Sequence, residues 1–348
     1  MSFPPSSPVA PRIAIIGAGI AGLTLARELS QRQFRVTVFE KARGVGGRMS
    51  TRYADPWFFD HGAMFFTARS EAFQQFLAPF QQQGKVQEWV GTVLTLEAGK
   101  ESFKRPWFEP HFVATPGMNG LCKALAESLT ENAEILCGVE VAPLSARTEA
   151  GWQLADSNGN PLGEFDLVIS TAPAAQVQRL FPQDFCGQES LTKVKMTGCY
   201  TLMIGLENSA ILPWPTGTIA AKINASPLEW IILNHSKPER AKERTTLVVH
   251  STNEWAEAHI DEDIPAMQAL LLEELARVTG MELPHPAYLT THRWRYANVA
   301  EPAGETFLYD AALQLAACGD WCLGGRVEAA WQSAQALAQC LASKSFTK

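Results

Sequence analysis

Charge is sparse in this 348-residue chain, where Asp, Glu, Lys and Arg together make up 19%, below the roughly 25% of an average soluble domain. The net charge is -7, so the basic footprint of a nucleic-acid-binding protein is missing and nucleic acid is not an expected partner. Nor is there a run of about twenty apolar residues that could cross a bilayer. The nearest approach, 13–29, is interrupted by three glycines, a threonine, an arginine and a glutamate. Residues 1–10 are rich in Pro and Ser and carry no charged n-region, so they are expected to form a flexible tail, with a cytoplasmic location as the default. The seven cysteines include no CxxC pair, and neither HExxH nor another ligand cluster occurs. Buried, reduced thiols and no metal site follow.

Apolar periodicity is well represented. The run Arg12 to Ile16, ending in Gly17, reads as a buried parallel strand; 21–31 carry helix formers, and Val36 to Phe39 make a second strand. Glu71 to Gln83 is an amphipathic helix with Phe73, Phe76, Leu77 and Phe80 on one face. Residues 121–129 predict another helix, 139–154 a hairpin around Gly151, and Asp166 to Ser170 a further buried strand. From about Gln188 to His292, short alternating strands (198–206, 230–234, 246–250) suggest an antiparallel sheet interrupted by a helix over 264–278. The chain closes on a strand-like 315–320 and a helix over 326–341. The first sheet therefore draws its strands from the beginning, middle and end of the sequence.

Gly17, Gly19 and Gly22 form GxGxxG after a strand and at the start of a helix. Gly17 permits the turn, Gly19 lets backbone approach a pyrophosphate, and Gly22 lets helix and strand pack closely. The helix N-terminus offers unpaired N–H groups to phosphate. Glu40, at the end of the second strand, suits both hydroxyls of an adenosine ribose and opposes a 2′-phosphate. The loop Gly44, Gly46, Gly47 and Arg48 supplies a second anion-binding concavity, which a plain NAD enzyme does not need there. Gly319 and Asp320, ahead of Arg326 and the last helix, form a third element suited to a ribityl chain and to the N1 edge of a reduced flavin. Three such elements in this order indicate FAD.

These and other segments resemble the renalase-like branch of the FAD-dependent amine oxidase superfamily, of bacterial type. The likeness rests on Gly46 to Met49, Phe59 to Ala63 with Phe66 to Arg69, and Pro116 to Met118. It continues through Trp230 with Asn234, Ser236 to Pro238 with Arg240, His250 to Trp255, and His292 to Ala297. It ends on Gly319 to Trp321 and Gly324 to Trp331. The chain departs from the pattern at Glu239, where similar proteins usually carry glycine, and at His235, which replaces a smaller residue. The resemblance implies a p-hydroxybenzoate-hydroxylase-like α/β fold holding FAD without a covalent bond, with an FAD-binding Rossmann-like domain and an inserted α+β antiparallel-sheet substrate domain. It implies oxidation of aberrant dihydronicotinamide isomers (2- or 6-dihydro-NAD(P)) to NAD(P)+. The flavin N5 would accept the hydride, and O2 would reoxidise the flavin to give H2O2. An FAD-dependent amine oxidase, or a carotenoid- or porphyrin-type dehydrogenase, shares the glycine elements and remains open, as does a flavin-binding protein without turnover.

The expected FAD domain comprises 11–75, 114–187 and 293–348, and the expected substrate domain 76–113 and 188–292. The expected cofactor contacts are Gly17, Gly19, Ile20, Ala21, Gly22, Glu40, Lys41, Gly46, Gly47, Arg48, Met49, His61, Gly62, Ala63, Val141, Ala172, Gly319, Asp320, Arg326, Val327 and Ala330. Hydride transfer from a dihydropyridine needs no strong base, so positioning groups are expected in place of a catalytic triad. Candidates for the substrate pocket are His61, Trp230, Asn234, Trp294 and Tyr296. Trp230, Trp294 and Tyr296 suit aromatic walls, Asn234 a carboxamide, and Lys237 and Arg240 a substrate phosphate. Each of these side chains also has an ordinary structural reading: the aromatics as sheet core, Asn234 as a turn or strand-end residue, His61 as a satisfied structural histidine and the cations as solvated surface groups. The small-molecule substrate and O2 are the expected partners.

Overall fold

A computed structural model describes residues 10–145, 147–207, 214–280 and 285–343. The expected tail therefore lies outside the described residues, apart from residue 10. The first sheet runs in the order Leu308–Asp310, Leu315–Ala317, Leu167–Ser170, Arg12–Ile16, Arg35–Glu40, Ala133–Cys137. All neighbours are parallel except the first pair. Its central strands Arg12–Ile16 and Leu167–Ser170 read as apolar runs because both faces are covered. Ile13, Ile15, Val36, Val38, Leu167 and Ile169 face the layer of helices Ile20–Gln31, Gly120–Glu127 and Val327–Ala342. Ala14, Phe39 and Val168 face the other way, against Trp152, Leu154 and Phe165. These last belong to a three-stranded antiparallel sheet of Arg147–Thr148, Gly151–Ala155 and Pro161–Phe165. The hairpin expected from residue 139 is thus shorter than the sequence suggests and gains a third strand.

The second sheet has the order Tyr288–Glu301, Lys195–Leu206, Thr245–Ser251, Leu228–Leu233, Thr218–Ile223, Thr92–Leu96, Phe103–Arg105. It is antiparallel except where Thr218–Ile223 pairs parallel with Thr92–Leu96. One face buries Leu202, Ile204, Leu247 and Val249 under Met267, Leu271 and Leu275 of helix Ile264–Thr279. That helix starts where the Asp263 carboxylate accepts the Ala266 N–H, and it stops at Gly280, whose φ of 67° is left-handed. The opposite face, with Met203, Ala220, Ile232 and Val248, joins the apolar core of the first lobe. The two sheets thereby share a core and leave a cleft between their edges.

Three expected domain boundaries fall inside elements, the one at 113 within the short strand Phe112–Ala114. Helix Glu71–Gln82 spans the limit expected at 75, yet its Phe73 and Phe76 rings pack on Trp331 of the last helix, each with centroids 5.2 Å apart. Strand Tyr288–Glu301 spans the limit expected at 293 and pairs with Lys195–Leu206 along most of its length. We propose that the substrate lobe starts after Gln82 and that the cofactor lobe resumes only after Glu301. Among the described residues, no helix is long and apolar enough to cross a membrane.

Candidate active site

The C-terminal ends of strands Arg12–Ile16 and Arg35–Glu40 open onto a cavity of about 2130 Å3. This exceeds the ~300–1,000 Å3 of an ordinary small-molecule site, leaving room for a dinucleotide cofactor and a substrate together. At its closed end the backbone itself is the binding surface. Gly17 and Gly46 have φ of 109° and 129°, which L side chains rarely adopt. Helix Ile20–Gln31 begins at Gly19 with no side-chain cap and no acidic residue in its first turn, and a Cβ on Gly19 would project into open space. Those free N–H groups form a cradle for phosphate. Gly22 is the one expected contact that does not line the cavity. A Cβ there would sit 1.9 Å from the Gly17 carbonyl oxygen, so its role is to let helix and strand approach.

Glu40 is buried, and its carboxylate accepts the Ala18 N–H at 2.8 Å and the Ala42 N–H at 2.7 Å. Each oxygen keeps a further lone pair for a ribose hydroxyl. Arg48 donates from Nη1 to Asp320 Oδ2 at 2.8 Å and to the Ala297 carbonyl at 3.3 Å, tying the second glycine loop to both lobes. The Asp320 carboxylate therefore meets a guanidinium as well as facing the expected ribityl position. Helix Val327–Ala342 also opens on the cavity without a side-chain cap, through Val327 and Ala330. Lys41, Met49, Gly62, Ala63, Val141, Ala172 and Arg326 line the same cavity. The glycine cradle, the Glu40 carboxylate and the second uncapped helix end fit FAD.

Beyond this cradle the cavity wall becomes aromatic. His61 stacks on Trp294 with centroids 5.2 Å apart and planes at 26°, and the Trp294 indole N–H donates to the His61 carbonyl at 2.9 Å. His292 meets both rings edge-on. Burial, then His292 and Arg52, lower the His61 pKa to about 4. Burial and Arg52 lower that of His292 to about 4 as well. His250 is pushed to about 3 by burial, with Lys237 and His61 adding to it. All three imidazoles are neutral at pH 7, and His61 Nδ1, His250 Nε2 and Arg52 Nε are buried without a hydrogen-bond partner. Polar atoms left so at a cavity wall are poised for a ligand. The sequence reading assigned no role to His250 or His292, nor to Arg52; their joint position depends on strands more than two hundred residues apart for Arg52 and His292.

Trp230 and Tyr296 line the cavity too, the Tyr296 hydroxyl accepting from Arg179 at 2.6 Å. Asn234 does not. It is buried, accepts the Asp60 N–H at 3.3 Å and donates to the Phe58 carbonyl at 2.9 Å, so both ends of its amide are spent on structure. Lys237 and Arg240 are likewise no surface cations. They donate to the same Asp60 oxygen at 2.9 and 2.8 Å, all three side chains being buried. Burial alone would raise the Asp60 pKa, but Lys237, Arg240 and the Met118 N–H outweigh it and hold the carboxyl well below the usual range. A phosphate role for this pair is therefore corrected to a buried ion cluster beneath the pocket. Glu239, next to it, sits at φ 55°, a left-handed conformation that glycine adopts more easily. His235 Nδ1 accepts the Thr246 N–H at 3.2 Å.

Among the described residues no cluster of three or more His, Cys, Asp or Glu could hold a metal. Cys122, Cys199, Cys318 and Cys322 are buried free thiols, while Cys137 and Cys186 are exposed.

Residues 15–80 match a NAD(P)-binding Rossmann-like domain, and residues 90–342 match the family described as flavin containing amine oxidoreductase. The chain is 48% identical over 50 residues to a 4,4'-diapophytoene desaturase of Staphylococcus haemolyticus, a stretch covering 14% of this chain and 10% of that protein. Among solved structures, a putrescine oxidase superposes with TM-score 0.73 at 14% identity, over 97% of this chain and 100% of the other. Cyclohexylamine oxidase from Brevibacterium oxydans superposes with TM-score 0.73 at 13% identity, over 96% and 99%. Likeness at such identities shows the shared fold.

Proposed function

On the premise that the chain belongs to the flavin-containing amine oxidoreductase family, with FAD as its cofactor, we propose that it is a renalase-like oxidase of aberrant dihydronicotinamide isomers. It returns 2- or 6-dihydro-NAD(P) to NAD(P)+. FAD, when bound, supplies the two-electron acceptor, which dioxygen reoxidises with release of hydrogen peroxide. The chain's own residues bind, orient and exclude water. The glycine cradle takes the cofactor pyrophosphate and Glu40 the adenosine ribose. His61, Trp294 and His292 press the dihydropyridine flat, and no residue is asked to remove a proton, because aromaticity gained in the product drives the transfer.

One observation carries the substrate class. Ten Lys and Arg residues line the cavity against five Asp and Glu, and eight remain when Arg293 and Arg295, whose guanidiniums reach Glu262 and Asp261 on the other side of their strand, are set aside, in a chain whose net charge is -7. A cofactor pyrophosphate offsets part of that excess, and what is left favours an anionic dinucleotide over a cationic amine. The neutral histidines add no further charge against the ring to be oxidised.

An amine oxidase is the second reading, favoured by the stacked His61–Trp294 pair, which also suits an uncharged amine. Anaerobic mixing of the FAD-loaded protein with a panel of dihydronicotinamide isomers and simple amines separates the two. Fast bleaching of the flavin by 2- or 6-dihydro-NAD(P), and slow bleaching by ordinary NADH, is expected. Faster bleaching by amines than by these isomers overturns the proposal.

A further inference from the structure

A second aromatic group lines the same cavity and has no part in the chemistry above. Phe65, His111 and Trp230 face the cavity. The Phe65 ring meets His111 at 4.3 Å and Trp230 at 6.1 Å between centroids, edge to face in both cases. Trp89 and Trp107 back this wall, at 6.2 and 5.4 Å from Phe65. Two polar atoms of the group, His111 Nδ1 and Trp107 Nε1, are buried without a partner. Such an array, half-buried and open to a large cavity, is an incomplete core: three flat faces and two unanswered nitrogens where a packed interior would have neither.

Charge near the wall has a definite pattern. Arg69 donates to both oxygens of Glu109, from Nε at 2.8 Å and Nη2 at 2.6 Å. Arg326 lies close enough to Glu109 to lower its pKa further. Arg69, Glu109 and Arg326 all line the cavity, and the buried Glu328, which accepts the Arg69 and Ser70 N–H groups at 2.8 Å, sets a second carboxylate beside the two guanidiniums. His111, held neutral by burial with a pKa of about 4, does not add to them. Flat rings, an unpartnered imidazole nitrogen and guanidinium donors are the recognition chemistry of a nucleobase joined to phosphate.

We infer that Phe65, His111 and Trp230 form a base-stacking subsite that holds the adenosine end of a dinucleotide substrate, with its pyrophosphate turned toward Arg69 and Arg326. The inference rests on the proposed function and names what anchors the half of the substrate that does not react. Binding energy from that remote half holds the dihydropyridine against His61 and Trp294.

The test uses the FAD-loaded protein and two substrates with the same reacting ring, a dihydro-NAD isomer and the corresponding dihydronicotinamide mononucleotide. Phe65→Leu is expected to raise KM for the dinucleotide about tenfold, since stacking on a base is lost. KM for the mononucleotide is expected to stay within about twofold, and Phe65→Tyr keeps both near wild type. An equal rise for both substrates overturns the subsite and leaves the reaction standing. AMP provides an independent readout: titrated into the FAD-loaded protein, it is expected to quench tryptophan fluorescence saturably, and to do so far more weakly in Phe65→Leu. Absence of saturable quenching in the wild type overturns the subsite. Saturable, Phe65-dependent quenching by a protein that oxidises neither dihydronicotinamide supports the subsite and overturns the proposed reaction.

Discussion

The two halves of the cavity bind by different means. In the cofactor half the ligand surface is mostly backbone: glycines in left-handed or open positions, two uncapped helix ends, and few side chains beyond Glu40 and the Arg48–Asp320 pair. In the substrate half it is mostly side chain, with His61, His292, Trp294, Phe65 and Trp230 supplying rings. Backbone cradles suit a ligand that never changes, because N–H dipoles are fixed by the secondary structure that carries them. Side-chain walls are fixed only by what packs behind them, and here the backing is a buried ion cluster of Asp60, Lys237 and Arg240. The contrast teaches where each half is vulnerable. The cradle fails locally, whereas the wall fails through its supports.

The largest expected effect is therefore at Asp60, which does not line the cavity. Asp60→Ala leaves Lys237 and Arg240 buried without a counter-charge and is expected to destabilise the fold by about 3–5 kcal/mol, measured by urea unfolding. A loss below about 1 kcal/mol would break the picture of a side-chain wall resting on charge. On the cradle side, Glu40→Ala removes the acceptor for the Ala18 and Ala42 N–H groups as well as the proposed ribose contact. FAD retention on dialysis is expected to weaken by at least about tenfold, given ~1.5–3 kcal/mol for a hydrogen bond to a charged group. Unchanged retention removes Glu40 from the cofactor.

The next effect concerns pH and only the substrate half. His61 falls from its ordinary value near 6.5 to about 4 in the folded chain, so on acidification the unfolded chain binds a proton first. The stabilisation is fully present above about pH 6.5 and is lost progressively as pH falls to about 4. His292 follows the same course. Each histidine is expected to contribute about 1–2 kcal/mol of the loss between pH 7 and pH 5, and the double change His61→Phe with His292→Phe should flatten the curve of unfolding midpoint against pH. A curve left as steep as before would show that the wall does not set the acid sensitivity. The smallest effect is at Glu239, beside the ion cluster. Glu239→Gly relieves the left-handed backbone and is expected to stabilise by about 1 kcal/mol or less, seen as a small rise in melting temperature.

The same contrast explains what could be read before any coordinates. The cradle is local: Gly17, Gly19, Gly22 and Glu40 sit within one βαβ unit, so spacing along the chain already places them together, and strands such as Arg12–Ile16 show as apolar runs because both faces are buried. The wall is not local. Lys237 and Arg240 look like solvated cations in a polar loop, and nothing in their neighbourhood reveals that Asp60 waits for them across the fold. Asn234 takes the strand-end role rather than the carboxamide role for the same reason, its partners lying on the strand Trp57–Asp60. His61, His292 and His250 come from three separate strands or strand ends, and lone histidines carry no periodic signal. What could have hinted at the cluster is the run of residue kinds at 292–296, where aromatic and cationic side chains alternate.

That alternation has a consequence for how the chain can vary in length. Within strand Tyr288–Glu301, His292 and Trp294 turn toward His61, while Arg293 and Arg295 reach Glu262 and Asp261 on the opposite side. Because side chains change face at every residue, deleting or inserting a single residue ahead of His292 would carry the arginines into the pocket and put the imidazole and indole outside. The fold could survive such a slip with its sheet intact, yet the surface offered to a ligand would exchange flat neutral rings for flexible cations. The register of this strand thus decides the chemistry of the pocket as much as its residues do.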